Sequence, residues 1–413
     1  MNLSKERITG ICFDDLAPLW TGLSRDFPKS LDTVPQGARD INVEFLEKTA
    51  KIMSGHFDKI NSIWAKRYGF YRRRWAEKTE KLFNRFLQDE AILHISDYFP
   101  PETVSDISEA LKEFLSAAKR FGLSVSDLGQ AVRNYLIYIL FLEACNKKQH
   151  FTPAIFGYSM LYPVTDNYID GGYSSEEKRK FNKLIHDKIS GLPAPPPASA
   201  LERQTCELLD CIESVYPRNG QNSIYLLLSM MLEAQQGSMV QQNKQHSLPE
   251  DKLLEISLYK GGVSVLIDRY LADGQINNGE LRFYLGYGFI LQLADDLQDI
   301  STDLHKGNQT LFTLASGTKA PEAAVNRLLN FADRLFREHT LPNEKFQRFM
   351  HQSTVYLILM SAGMSKEHFS EGYLQMLEEH CPISFSFMER HKKGPYPIGM
   401  DEKALMKVLD MFL

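Results

Sequence analysis

The sequence predicts an all-α protein. Apolar residues recur at spacings of three and four along most of its 413 residues. Two-residue alternation bounded by turn signals is scarce. No stretch of 20 to 50 residues repeats, so a solenoid is not expected.

Taken in order, Val43–Tyr68 (VEFLEKTAKIMSGHFDKINSIWAKRY) and Asp106–Gly122 (DISEALKEFLSAAKRFG) carry one apolar stripe each, as surface helices do. Asp127–Asn146 follows, and its centre, YLIYILFLEAC, is apolar all round. That run falls short of the roughly 18 residues a membrane span needs, so it reads as a fully buried helix. Ser190–Glu202, SGLPAPPPASALE, holds four prolines and favours an extended connection. It reads as a loop at 190–200 inside one helical domain, because the acidic motifs described next lie on both sides of it. PRNGQN, QHSLPED, ADGQINNGE, SGTKAPE and KKGPYPIG mark further loops. Ala323–His339 is again amphipathic. The expected division is N-terminal helices at 1–120, a helical bundle at 121–390 and a C-terminal segment at 391–413.

Composition excludes several classes. Apolar residues make up 43% and charged residues 24%, an ordinary globular balance. The net charge of -5 gives no reason to expect nucleic acid binding. The five cysteines form no CxxC pair, which argues for a reducing compartment and against a disulfide framework. The N-terminus, MNLSKERITGICFDDL, lacks the apolar core of a signal peptide. The expectation is a cytoplasmic protein without a transmembrane segment.

Two acidic clusters break the pattern. Gln292–Asp303, QLADDLQDISTD, places Asp295, Asp296, Asp299 and Asp303 within nine residues, directly after the apolar run LGYGFILQLA. On a helix Asp296, Asp299 and Asp303 share one face, and Asp295 and Asp299 are one turn apart. Like charges so placed repel. A solvated acidic face is the plain reading. The apolar run before the cluster argues instead that it enters a core, where carboxylates need partners. Upstream, SMLYPVTDNYIDGG sets Asp166 and Asp170 one turn apart at the end of another apolar helix, stopped by Gly171 and Gly172. Mg²⁺ suits such a pair of clusters, because it takes a few carboxylates and completes its shell with water and substrate phosphates.

Asp295–Asp299, DDLQD, matches the DDxxD pattern of the class I isoprenoid synthase superfamily. The longer string from Gly286 to Ala315 resembles the second aspartate-rich region of trans-prenyl diphosphate synthases, with Gln292, Asp303, Lys306–Gly307 and Thr310–Leu311 in the matching places. Asp166–Asp170, DNYID, resembles the first motif in its DxxxD form. Leu258–Leu271, LYKGGVSVLIDRYL, is similar to the family's kinked helix, with Lys260 before the Gly261–Gly262 break. The resemblance covers roughly residues 130 to 315.

It implies a helical bundle around a central apolar cavity, holding a Mg²⁺ cluster and a prenyl diphosphate. Asp166, Asp170, Asp295 and Asp299 would bind metal, with Asp296 and Asp303 as further ligands or supports. Lys260, Lys306 and Arg133 would meet the diphosphate, and Arg72 to Arg74 are further candidates. Lys306 could equally cap a helix end, and the three arginines could be a solvated face. Tyr135, Tyr138, Phe156, Tyr162, Phe289 and Gln292 would line the pocket, although aromatics at helical spacing are usually core. Met388–Pro397 would fold over the pocket mouth. Dimers are frequent among the resembling families, so a homodimer is a further expectation.

The implied activity is that of a terpene synthase. A prenyl transferase is the alternative. It is weakened because GGYSSEE, after the first motif, lacks the arginine pair of elongating enzymes and Lys178–Lys180 comes late. A helical binding protein that keeps the fold without catalysis is the third reading.

Overall fold

The computed structural model describes residues 3–61, 69–89, 92–121, 125–220, 223–242, 246–316 and 320–391. Among these residues there are helices and turns and no strand. A short α1 (Lys5–Gly10) leads through a π-helical turn at Ile11–Leu16 into α2 (Ala17–Gly22). Then come α3 (Gln36–Asn61), α4 (Gly69–Asp89), α5 (Ile95–Tyr98) and α6 (Pro101–Arg120). The central run is α7 (Val125–Ala144), α8 (Pro153–Asp170), α9 (Ser175–Ile189), α10 (Ala200–Val215) and α11 (Ile224–Ser238). It continues through α12 (Glu250–Asp273), α13 (Leu281–Gln298), α14 (Ile300–Lys306) and α15 (Leu311–Ala315). The chain closes with α16 (Ala320–Glu338), α17 (Glu344–Met364), α18 (Glu371–Glu378) and α19 (Phe385–His391).

Two compact units result. The first joins residues 1–29, 127–147 and 151–369, and the second joins 30–126, 148–150 and 370–413. These units cut across the expected segments 1–120, 121–390 and 391–413. In the second unit the chain before α3 is tied to the turn after α18. Val34 N–H donates to the Glu379 carbonyl at 2.7 Å, and Asn42 Nδ2 donates to the Pro382 carbonyl at 2.9 Å. Along α6 the side chains of Ala110, Phe114, Ala117 and Ala118 are buried, as its single apolar stripe requires.

The first unit holds both acidic clusters. Glycines set its closest helix pair. A Cβ on Gly261 would strike the Gly288 carbonyl, and one on Gly288 would strike the Gly261 carbonyl, so α12 and α13 touch backbone to backbone. α12 runs without a break from Glu250 to Asp273, through the Gly261–Gly262 pair. The glycines serve close approach. Gly157 does the same for α8 against Leu208 of α10. The proline-rich stretch connects α9 to α10 within this unit, and capping boxes at Ser174/Glu177 and Ser199/Glu202 start both helices. Behind the acidic end of α13, Phe289 meets Trp20 and Phe331 edge-on at 5.2 and 5.3 Å. Phe289 is therefore core, not pocket wall. The cysteines are free. No helix among the described residues is long and apolar enough to cross a membrane.

Candidate functional site

The second acidic cluster does not form the single face that its spacing predicts. α13 stops at Gln298, and Asp299 leaves the helix with φ -101° and ψ 13° before α14 begins. That break sorts the aspartates into two pairs. Asp295 and Asp299 are exposed, and Asp296 and Asp303 are buried. Gln292 Nε2 donates to Asp296 Oδ1 at 2.9 Å, while Asp296 Oδ2 is buried without a partner. Asn308 Nδ2 donates to Asp303 Oδ1 at 3.1 Å. Lys306 ends α14 before the left-handed Gly307 (φ 75°), exposed and close enough to pull on the Asp303 carboxyl.

The first cluster reaches toward the second. Asp166, in the last turn of α8, accepts an ion pair from Lys260 Nζ of α12 at 2.9 Å. Arg133 of α7 stands 3.9 Å from Asp295 Oδ1. Asp170 closes α8, and its side chain lies outside the described residues. Arg74 is exposed in the second unit, and the side chains of Arg72 and Arg73 lie outside the described residues, as does most of Met388–Pro397.

The electrostatics tie these groups into one site. Desolvation raises the Asp295 carboxyl, and Asp299 raises it further. Arg133 and Lys260 pull it down, and Asp166 pushes it up again. Yet the Asp295 side chain is 57% exposed. Burial pushes Asp296 up to about 8, with the Gln292 hydrogen bond opposing and Asp295 and Asp303 adding to the rise.

Several otherwise buried helix faces carry partly exposed residues near these groups. They are Tyr162 and Asp166 on α8, Lys260 and Ser264 on α12, and Leu291 and Gln292 on α13. Tyr135, Tyr138 and Phe156 are buried, and Tyr135 stacks on Tyr138 with centroids 5.8 Å apart. Of the six expected wall residues, Tyr162 and Gln292 are the ones that are partly exposed.

Among the described residues, no three carboxylate, histidine or cysteine side chains stand together as a metal-holding group. The donors nonetheless fit Mg²⁺ by type. They are carboxylate oxygens without thiolate or imidazole, one buried oxygen is unpartnered, and negative charge is in excess.

Sequence reasoning missed Asn134, Ser159, Ser264 and Asp268. Asn134 Nδ2 donates to Asp268 Oδ1 at 2.9 Å and lies 3.2 Å from Ser159 Oγ. Tyr158 Oη donates to the Ser264 carbonyl at 3.2 Å. The available signal was a carboxylate inside the apolar run VLIDRYL. Comparison of the chain with protein-family models, with curated proteins and with solved structures gave no match in any of the three.

Proposed function

We propose that the protein is a Mg²⁺-dependent class I terpene synthase, which ionises a prenyl diphosphate and rearranges or cyclises the carbocation. One observation carries this reading. Asp166 of one acidic motif pairs with Lys260 at 2.9 Å, and Asp295 of the other, facing Arg133 at 3.9 Å, feels the charges of both Asp166 and Lys260.

In this reading Asp166, Asp170, Asp295 and Asp299 would hold the metal ions, with Asp296 and Asp303 supporting them from behind. Bound Mg²⁺ would neutralise the diphosphate and promote its departure. The chain's own residues supply the rest. Lys260 and Arg133 would meet the diphosphate oxygens at the mouth of the recess. When the carbon–oxygen bond breaks, its electron pair leaves with diphosphate, and an allylic cation remains. A dry apolar recess delays capture of that cation by water. The half-buried ring of Tyr162 offers a face that stabilises positive charge.

The synthase reading is favoured over chain elongation because elongation needs a second diphosphate site. The bases after the first motif do not offer one. Arg179 and Lys180 are spent on Glu176, at 2.8 and 3.4 Å, on the exposed side of α9.

The test is a product assay with Mg²⁺ and geranyl, farnesyl, geranylgeranyl or longer diphosphates, each with and without isopentenyl diphosphate. A hydrocarbon or alcohol made without isopentenyl diphosphate is expected. A longer diphosphate made only with it would move the protein to the transferases, as would a doubled hydrocarbon from one substrate. No diphosphate release from any substrate would leave a helical binding protein.

A further inference from the structure

A second polar group lies deeper in the first unit than the charged mouth. Ser159 sits seven residues before Asp166 on α8, and Asp268 sits eight residues after Lys260 on α12. At about 1.5 Å per residue, both lie roughly 10–12 Å from the Lys260–Asp166 pair. Asn134 of α7 joins them, donating to Asp268 Oδ1 at 2.9 Å, with Ser159 Oγ at 3.2 Å. Asp268 is 1% exposed and Ser159 0%.

Two features set this group apart from an ordinary polar clip. First, Asn134 is half-buried although Ala131, Tyr138 and Phe141, on the same side of α7, are all 0% exposed. Its amide is therefore not sealed in the core. Its amide nitrogen is committed to Asp268 and Ser159, and no described residue donates to its amide oxygen. Second, Pro163 stands inside α8, and a proline there removes the helical donor of the carbonyl four residues back, which is Ser159. The polar layer thus coincides with a missing backbone hydrogen bond in the helix that carries the first motif. Burial holds Asp268 far above the ordinary carboxylate range, which favours the uncharged acid over a competing negative charge beside Asn134.

We propose that Asn134 presents its amide oxygen to the hydrocarbon end of the substrate and stabilises positive charge that has moved away from the ionised carbon, with Asp268 and Ser159 as positioning residues. This rests on the terpene synthase reading and deepens it. A fixed carbonyl dipole in a dry site favours a cation without reorganising, which is how a preorganised group steers a reaction. It would select products formed after the cation has migrated over those quenched near the diphosphate.

The test compares product distribution per diphosphate released for wild type, Asn134→Leu, Asp268→Leu and Asp268→Asn. Asn134→Leu and Asp268→Leu should raise the share of acyclic, early-quenched alcohols and olefins by about tenfold. Asp268→Asn keeps shape, neutrality and an acceptor for Asn134, so the wild-type distribution should return. Ser159→Ala makes the same test with a smaller change if Asp268→Leu does not fold. A purely structural clip would lower stability in these variants without moving the distribution. An unchanged distribution in Asn134→Leu overturns the role of Asn134, and a shift in Asp268→Asn as large as in Asp268→Leu overturns the positioning role. No diphosphate release by wild type from any chain length overturns the synthase reading itself, and this inference with it.

Discussion

Two places on α12 each carry a cation, Lys260 near its middle and Arg269 toward its C-terminal end, and the two ends of this stretch are built to opposite plans. At Arg269 everything is closed. The guanidinium is 2% exposed and donates to the Gln275 carbonyl at 3.1 Å and to Glu280 at 2.9 Å. It also lies 3.8 Å from Asp273 and 5.4 Å from the Tyr284 ring centroid. At Lys260 the pair is partly open, with 15% of the lysine and 25% of Asp166 exposed. Around it Asp295, Asp299 and Asp303 leave negative charge in excess. A fork-shaped cation locked by several acceptors fixes one structure. A single ammonium among surplus carboxylates leaves capacity for a ligand that brings positive charge and phosphate together. The same helix therefore separates a structural ion pair from a candidate binding pair.

Removing ligands at the open end should have the largest effect. Asp299→Ala and Asp166→Ala are each expected to reduce diphosphate release by at least about 100-fold, because charge stabilisation of a leaving diphosphate is worth several kcal/mol. Circular dichroism should show the helical content intact. Near-normal turnover in either variant would erase the distinction between the two ends.

The closed end should respond in the opposite sense. Arg269→Ala leaves Glu280 without its cation in a largely buried place, although Asp273 keeps Lys147 at 2.6 Å; losing one partner of a buried pair typically costs about 3–5 kcal/mol. The midpoint of urea unfolding should fall accordingly, while turnover per folded molecule stays. If turnover fell and stability held, Arg269 would belong to the site and the contrast would fail.

Between the two ends lies the glycine contact that holds α12 on α13. Gly288→Ala would set a methyl group against the Gly261 backbone, and backbone cannot swing aside as a side chain can. Overpacking of this kind costs about 1–3 kcal/mol. The loss should appear in thermal unfolding. Gly286→Ala meets only the Leu335 side chain, which can rotate, so it should cost less.

These contacts show how far the sequence could be read. Period alone gave the helices, and charge on apolar helices gave Asp166, Asp295 and Asp299. Spacing put Asp296, Asp299 and Asp303 on one face of a continuous helix, but the helix breaks at Asp299, which is exposed while Asp296 and Asp303 are buried. The Gly261–Gly262 pair read as a kink because glycine lacks both propensity and bulk, and a sequence does not say which property is used. Asn134 and Asp268 stayed hidden for a different reason. A lone polar residue in an apolar run shows its purpose only when its partner on another helix is known.

Asp268 gives the smallest expected effect and the sharpest sign. Burial raises its carboxyl well above the usual range, with the Asn134 hydrogen bond opposing. The titratable group beside it, Tyr158, is raised as well, chiefly by burial. The folded protein therefore binds a proton here that the unfolded chain releases near pH 3.9. Stability from this group is fully present below that pH and falls as pH rises toward the folded pKa, by up to about 1.4 kcal/mol per pH unit. Asp268→Asn removes the titration and keeps the shape. The difference in urea midpoint, variant minus wild type, should therefore grow between pH 5 and pH 7 in favour of the variant. A difference that stays flat would mean that Asp268 is ionised in the fold. The polar layer would then carry negative charge, as the mouth does, and the two depths of the recess would no longer be built on different plans.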